Sequence, residues 1–379
     1  MRRAAALLLL AGAAARGTAV PDAPFGPPAR VALDRSQTPQ GLASADFDGD
    51  GRVDVAVANG GTNDVTLLLG DGRGGFRVGR SFAAGPNPTE IFAGDFDRDG
   101  HADLAIANHD STYVTILLGD GRGGMRPGPG SPLTVHSRPH PHTIAGCDAD
   151  GDGILDLVID SWGENRLTLL LGDGKGGFRT PGAPIEVGRK PYRNLKLRDL
   201  DGDGRCDAVV PSYDLGVATV LKGDGRGGFR AGPALPAGPA PFTVDVADLD
   251  GDGKLDLAFS NYSGQISDPS DDAITFMLGD GRGGFRPGPR LSTGRGPFQL
   301  SAGDIDGDGK SDVATADHGG SDLTIAFGGP GGLAPNRTTR VAVPAPPDRV
   351  LLVDVTGDHK ADAVVASPDG HAVFVFVAR

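Results

Sequence analysis

A nine-residue, aspartate-rich motif recurs seven times along this 379-residue chain. Such a period constrains a fold more than any local propensity, because each unit must bury its apolar surface against its neighbours. The motif reads DFDGDGRVD from Asp46, DFDRDGHAD from Asp95, DADGDGILD from Asp148, DLDGDGRCD from Asp199, DLDGDGKLD from Asp248 and DIDGDGKSD from Asp304. A worn copy, DVTGDHKAD, starts at Asp354, and successive starts lie 49, 53, 51, 49, 56 and 50 residues apart.

Each module has the same internal order. A Pro-containing loop leads into a short apolar run, the Asp loop, an alternating strand such as DVAVAN, a polar loop, a second apolar run such as VTLLLG, and the turn GDGRGGF. Short β-rich segments between turn signals, without helical periodicity, predict four strands per module. Gly and Pro make up 92 of the 379 residues and aromatics only 6%. The core must therefore be assembled from many small aliphatic patches. Radial repetition of small sheets satisfies both conditions, so the expected fold is all-β, a seven-bladed β-propeller. The seventh copy stops at VFVFVAR before its GDGRGGF turn. Residues 23–33, APFGPPARVAL, resemble the segment that follows that turn elsewhere, so residues near 30–34 are expected to complete the last blade beside residues 373–377.

The chain holds 46 Asp but only 3 Glu. Short carboxylates in that excess suit tight turns or hard-cation loops. Loop positions 1, 3, 5 and 9 are Asp and position 6 is Gly in six copies. The expected ligands are Asp46, Asp48, Asp50 and Asp54; Asp95, Asp97, Asp99 and Asp103; Asp148, Asp150, Asp152 and Asp156; Asp199, Asp201, Asp203 and Asp207; Asp248, Asp250, Asp252 and Asp256; and Asp304, Asp306, Asp308 and Asp312. Ca2+ takes about 6–8 oxygens at about 2.3–2.6 Å, so the position-7 carbonyl, from Arg52 in the first copy, and water complete each shell. Thr356 and His359 replace positions 3 and 6 of the seventh loop, which is expected to bind weakly or not at all. An EF-hand would need Glu at position 12, where this chain carries strand residues from Val57 to Val365.

These Asp loops and GDGxGGF turns resemble the FG-GAP and VCBS repeats of the integrin alpha N-terminal propeller superfamily, over about residues 25–379. The resemblance implies a seven-bladed calcium-binding propeller whose ligands dock on the face opposite the calcium hairpins. It implies no activity.

Residues 1–15, with Arg2 and Arg3 before an apolar run of about 12 residues that ends in small Ala13 and Ala15, read as a cleaved secretory signal. The run is too short to span a bilayer, and a secreted, periplasmic or cell-surface monomer is expected. The formal charge of −13 becomes −15 without Arg2 and Arg3, and six Ca2+ bring it to about −3. A negative balance argues against nucleic-acid partners. Cys147 and Cys206 occupy different positions of neighbouring repeats, so a bridge between them is not expected.

The pattern G-x-G-x-x-G at Gly70, Gly119, Gly172, Gly223 and Gly279 lacks the following helix that a dinucleotide site needs. It reads as a hairpin turn, with Phe76, Met125, Phe178, Phe229 and Phe285 packing between layers. Function must lie in what the repeat does not demand. Fourteen residues after each first Asp stand Gly60, His109, Trp162, Tyr213, Tyr262, His318 and Pro368. The connections between blades add Glu90, His140, His142, Arg193, Phe242, Phe298, Gln299, Asp348 and Arg349, and Tyr192 lies nearby. Candidate ligand-binding residues are therefore His109, His142, Trp162, Tyr192, Arg193, Tyr213, Tyr262 and His318. The same ring of aromatics also suits packing against the adjacent blade. His140 and His142 could contribute to a transition-metal site but show no clear third ligand in sequence. The expected function is a non-catalytic module binding a carbohydrate or a protein; the alternative is an extracellular polysaccharide lyase or hydrolase using His109, His142, Tyr192, Arg193 or Tyr213.

Overall fold

The computed structural model describes residues 23–135, 140–161, 165–180, 184–187, 191, 194–264 and 271–379. Seven antiparallel sheets follow one another along the chain. In the first, Pro39–Ala45, Asp54–Asn59, Asp64–Gly70 and Phe76–Ala83 pair in sequence order. The Asp loop joins the first strand to the second and the GDGRGG turn joins the third to the outer one. Both lie at one end of the blade, and the remaining connections lie at the other.

The second strand of each blade is its most buried. Asp54–Asn59, Asp103–Asn108, Asp256–Asn261 and Asp362–Ser367 are buried at every residue. The alternation visible in DVAVAN is thus one of size, Val against Ala, because both faces of the strand meet neighbouring blades. The apolar side chains fall into clusters that span blade interfaces. One joins Ala43, Phe47, Val65 and Leu67 of the first blade to Ile91, Leu104 and Ile106 of the second. Phe76, Met125, Phe178, Phe229 and Phe285 each pack against such a cluster. Outer strands are less regular. In the second blade Met125–Pro127 and Leu133–Thr134 pair separately with Tyr113–Gly119, because Pro127 and Pro129 cannot donate to the ladder.

The last blade uses both chain ends. Ala29–Ala32 pairs antiparallel with Ala372–Phe376, placing Ala29 opposite Val375 and Ala32 opposite Ala372. Gly26 N–H donates to the Val377 carbonyl at 2.8 Å, and Arg379 N–H to the Pro24 carbonyl at 3.0 Å.

The cysteine expectation is corrected. Cys147 and Cys206 form a disulfide, with their Cα atoms 6.4 Å apart. Cys147 immediately precedes its Asp loop and Cys206 is loop position 8 of the next copy. Consecutive blades bring these two positions face to face at two other interfaces as well. A Cβ on Gly94 would lie 2.7 Å from Leu155, and one on Gly303 would lie 2.8 Å from the Ala361 methyl, at the same pair of positions. Unlike positions meet because adjacent blades pack with an offset.

Candidate functional site

On the hairpin face, each Asp loop is wound around its own carboxylates. In the first copy Asp46 Oδ1 accepts the N–H groups of Gly49 and Asp50 at 2.7 and 3.2 Å, and Asp46 Oδ2 accepts Gly51 N–H at 2.8 Å. Gly51 has φ +80°, in the left-handed region. The seventh loop keeps this form: His359, at the same position, has φ +69° and donates its N–H to Asp354 Oδ2 at 2.8 Å. The loop conformation therefore survives where the ligand pattern has decayed.

Position 9 has a separate role. Asp54 Oδ2 accepts Phe47 N–H at 2.9 Å and Oδ1 accepts Gly70 N–H at 2.7 Å. The same two bonds recur in every blade, ending with Val355 and Ala378 on Asp362 at 2.9 and 2.8 Å. This carboxylate braces the end of the first strand to the end of the third, which explains its retention in the worn copy. Burial, opposed by these N–H donors, pushes Asp103 and Asp256 up to about 6 and Asp312 to about 7. Each oxygen keeps a second lone pair, so the brace does not consume its capacity for a cation.

The carboxylates within each loop converge, in the third copy with the position-9 Asp156 among them. Oxygens of Asp46, Asp48 and Asp50 lie within 4.8 Å of one another, as do those of Asp95, Asp97 and Asp99, of Asp148, Asp150 and Asp156, and of Asp199, Asp201 and Asp203. Asp48 Oδ1 and Asp97 Oδ1 are buried and accept no hydrogen bond. Unsatisfied, buried, anionic oxygens in a cluster fit a hard cation. Neighbouring blades are stitched to these loops: Gly123, Gly176 and Gly227 donate N–H groups to the position-2 carbonyls of Phe47, Phe96 and Ala149. The G-x-G-x-x-G segments are hairpin turns, with Asp71 Oδ1 accepting Arg73 and Gly75 N–H at 2.8 and 2.9 Å.

The opposite face carries two different assemblies. Across blades four to six runs an aromatic arc. The Phe242 ring lies 5.8 Å from Tyr213, 5.2 Å from Tyr262 and 4.9 Å from Phe298, and Phe298 lies 6.5 Å from His318. Phe242 is buried while the other four are half-buried. Tyr213 Oη donates to the Tyr262 carbonyl at 3.1 Å, so Tyr213 serves blade packing. Beside the arc, Tyr262, Ser263, Asp272, Arg295 and His318 line a cleft of about 300 Å³. His318 Nδ1 lies 2.6 Å from Asp348 Oδ1, and that hydrogen bond holds the imidazole above its usual pKa. A larger hollow of about 580 Å³ lies on the hairpin face between the first and seventh loops, with no aromatic side chain in its wall.

The second assembly lies at blades two and three. His109 stacks on His140 with ring centres 3.9 Å apart, and His142 approaches their rings at 4.9 and 4.5 Å respectively. Burial, then His142 and His109, pushes His140 down to about 4. Trp162, Tyr192 and Arg193 lie outside the described residues. Arg349 lies 2.9 Å from Glu90 Oε2 and donates to the Thr89 carbonyl at 3.1 Å. Sequence reasoning missed Asp160, Asp272 and Arg295. Asp160 was detectable: it stands where the other copies have Ala58, Ala107, Pro211, Ser260, Ala316 and Ala366.

An FG-GAP-like repeat model matches residues 46–106, 99–159, 148–210, 199–259 and 263–315. A ring of seven antiparallel blades, four of four strands and three with the outer strand in two pieces, defines a β-propeller, and this chain belongs to the FG-GAP-like repeat family. No curated protein is significantly similar to it. Among solved structures, BBS1N in complex with ARL6DN is 13% identical with a TM-score of 0.64, over 94% of this chain and 96% of that one. Virginiamycin B lyase from Staphylococcus aureus, with quinupristin, is 12% identical with a TM-score of 0.61, over 94% of this chain and all of that one. At these identities the likeness is one of fold alone.

Proposed function

We propose that this protein is an exported, calcium-loaded propeller that binds a carbohydrate or a protein through the loop face of blades four to six, without catalysis. The aromatic arc beside the Asp272, Arg295 and His318 cleft carries this reading. Half-buried rings offer apolar platforms, and flanking polar groups fix orientation, as hydroxyl-rich sugars or partner side chains require. Tyr213 is tied to the Tyr262 carbonyl, so the proposed platform is Tyr262, Phe298 and His318. The disulfide is consistent with an oxidising compartment. No helix among the described residues is long and apolar enough to cross a membrane.

Calcium is the structural partner of the opposite face. Each ion would take Asp side chains at loop positions 1, 3, 5 and 9 with the position-7 carbonyl, relieving the repulsion of clustered carboxylates. Six loops carry the full set.

A glycan array probed with the mature chain, repeated with Tyr262→Ala and His318→Ala, tests the proposal. Binding to a defined glycan that both substitutions abolish supports it. Binding that survives both substitutions contradicts the placement of the site, and turnover of a bound polysaccharide contradicts the non-catalytic reading. Array silence, combined with protein capture that Tyr262→Ala abolishes, selects the protein ligand.

A further inference from the structure

The three-histidine assembly is separate from the aromatic arc and from the calcium loops, and the repeat demands none of its residues. His109 follows the second strand of blade two, and His140 and His142 come from the connection into blade three. One ring nitrogen from each lies within 4.8 Å of the others. His140 Nε2 and His142 Nε2 are 3.2 Å apart. Two imidazole nitrogens bound to one tetrahedral Zn2+ at about 2.0–2.1 Å are separated by about 3.3–3.4 Å, so this pair already stands near bonding separation.

The far side of these rings is equally organised. His109 Nδ1 lies 2.7 Å from Asp110 Oδ1. His142 Nδ1 lies 3.4 Å from Asp160 Oδ2, and both residues are buried. Asp160 Oδ1 accepts the N–H groups of His142 and Thr143 at 2.8 and 2.9 Å, fixing the carboxylate against the loop that carries the ligand. A carboxylate beside the second ring nitrogen of a histidine is the outer-shell arrangement that orients metal-binding imidazoles. A buried Asp at a position otherwise held by small or apolar residues is difficult to explain through packing alone.

We infer that His109, His140 and His142 bind one divalent transition-metal ion of the zinc type, with Asp110 and Asp160 orienting His109 and His142. Three nitrogen ligands leave one tetrahedral position for water or another small donor. Imidazole donors exclude calcium, which prefers oxygen, so the two metals sort to opposite faces.

The test uses the full mature chain in excess calcium. Zn2+ is titrated against a chromogenic chelator, and Co2+ is used as an absorbing replacement. One equivalent of Zn2+, with the intense visible bands of four-coordinate Co2+, is expected. His109→Ala and His140→Ala, both at half-buried positions, should each weaken Zn2+ binding by more than about 100-fold; Asp160→Asn, which keeps an acceptor for the two N–H groups, should weaken it by about 10–100-fold. Melting curves of each variant distinguish lost ligation from lost folding. Absence of a stoichiometric equivalent in the wild type, or equal affinity in folded His109→Ala and His140→Ala, would overturn the assignment.

Discussion

The two faces of the ring are built from the same seven repeats yet obey different rules. On the hairpin face, the position-9 carboxylate makes the same pair of backbone hydrogen bonds from Asp54 round to Asp362. On the loop face, equivalent positions hold Gly60, His109, Tyr213, Tyr262, His318 and Pro368. Repetition on the first marks what the blade needs to fold. Irregularity on the second marks what it does not need, and binding is sought there.

The sharpest way to break this division is to remove the brace where no full calcium set exists. Asp362→Ala leaves the buried N–H groups of Val355 and Ala378 without acceptors, at about 1–3 kcal/mol each. Urea unfolding in EDTA should show a loss of about 2–6 kcal/mol that added calcium does not restore. Asp48→Asn should behave in the opposite way, with little effect in EDTA and a lower melting temperature than wild type in calcium. If the two variants respond alike to calcium, the separation of brace from ligand is wrong.

Next in size is the disulfide. Cys147→Ser with Cys206→Ser should cost about 2–4 kcal/mol by loss of the covalent cross-link between blades three and four. Calcium titration of this variant should be unchanged, because neither cysteine stands at a ligand position.

On the loop face, Tyr213→Phe removes the hydrogen bond to the Tyr262 carbonyl and should cost about 1 kcal/mol with ligand binding intact. The smallest effect is the pH dependence of His318. Asp348 raises its pKa, so the attraction between them is fully present below about pH 6.5 and is lost as pH rises through the raised value. Ligand binding followed from pH 6 to pH 9 should weaken across that window, and His318→Gln should flatten the profile.

The architecture was legible because every copy restates it. Spacing, turn residues and the truncated seventh copy predict blade number and the pairing of the N-terminal strand. What escaped was the relation between blades. Cys147 and Cys206 look mismatched until consecutive blades are seen to pack with an offset, the one that sets Gly94 against Leu155. The dual use of Asp54 and its equivalents was equally hidden, since a motif shows residue types but not the donors that reach them. His140 and His142 were visible without their third partner, because His109 is 31 residues from His140 in sequence and meets it only when blades two and three pack.

Calcium loading is tested by the number of calcium ions retained per chain, by calorimetric titration of EDTA-treated protein with melting followed in parallel. About six equivalents are expected, one for each complete Asp loop, with a melting temperature raised by roughly ten degrees or more as the sites fill. No bound calcium, or a melting temperature unchanged between EDTA and calcium, would contradict it.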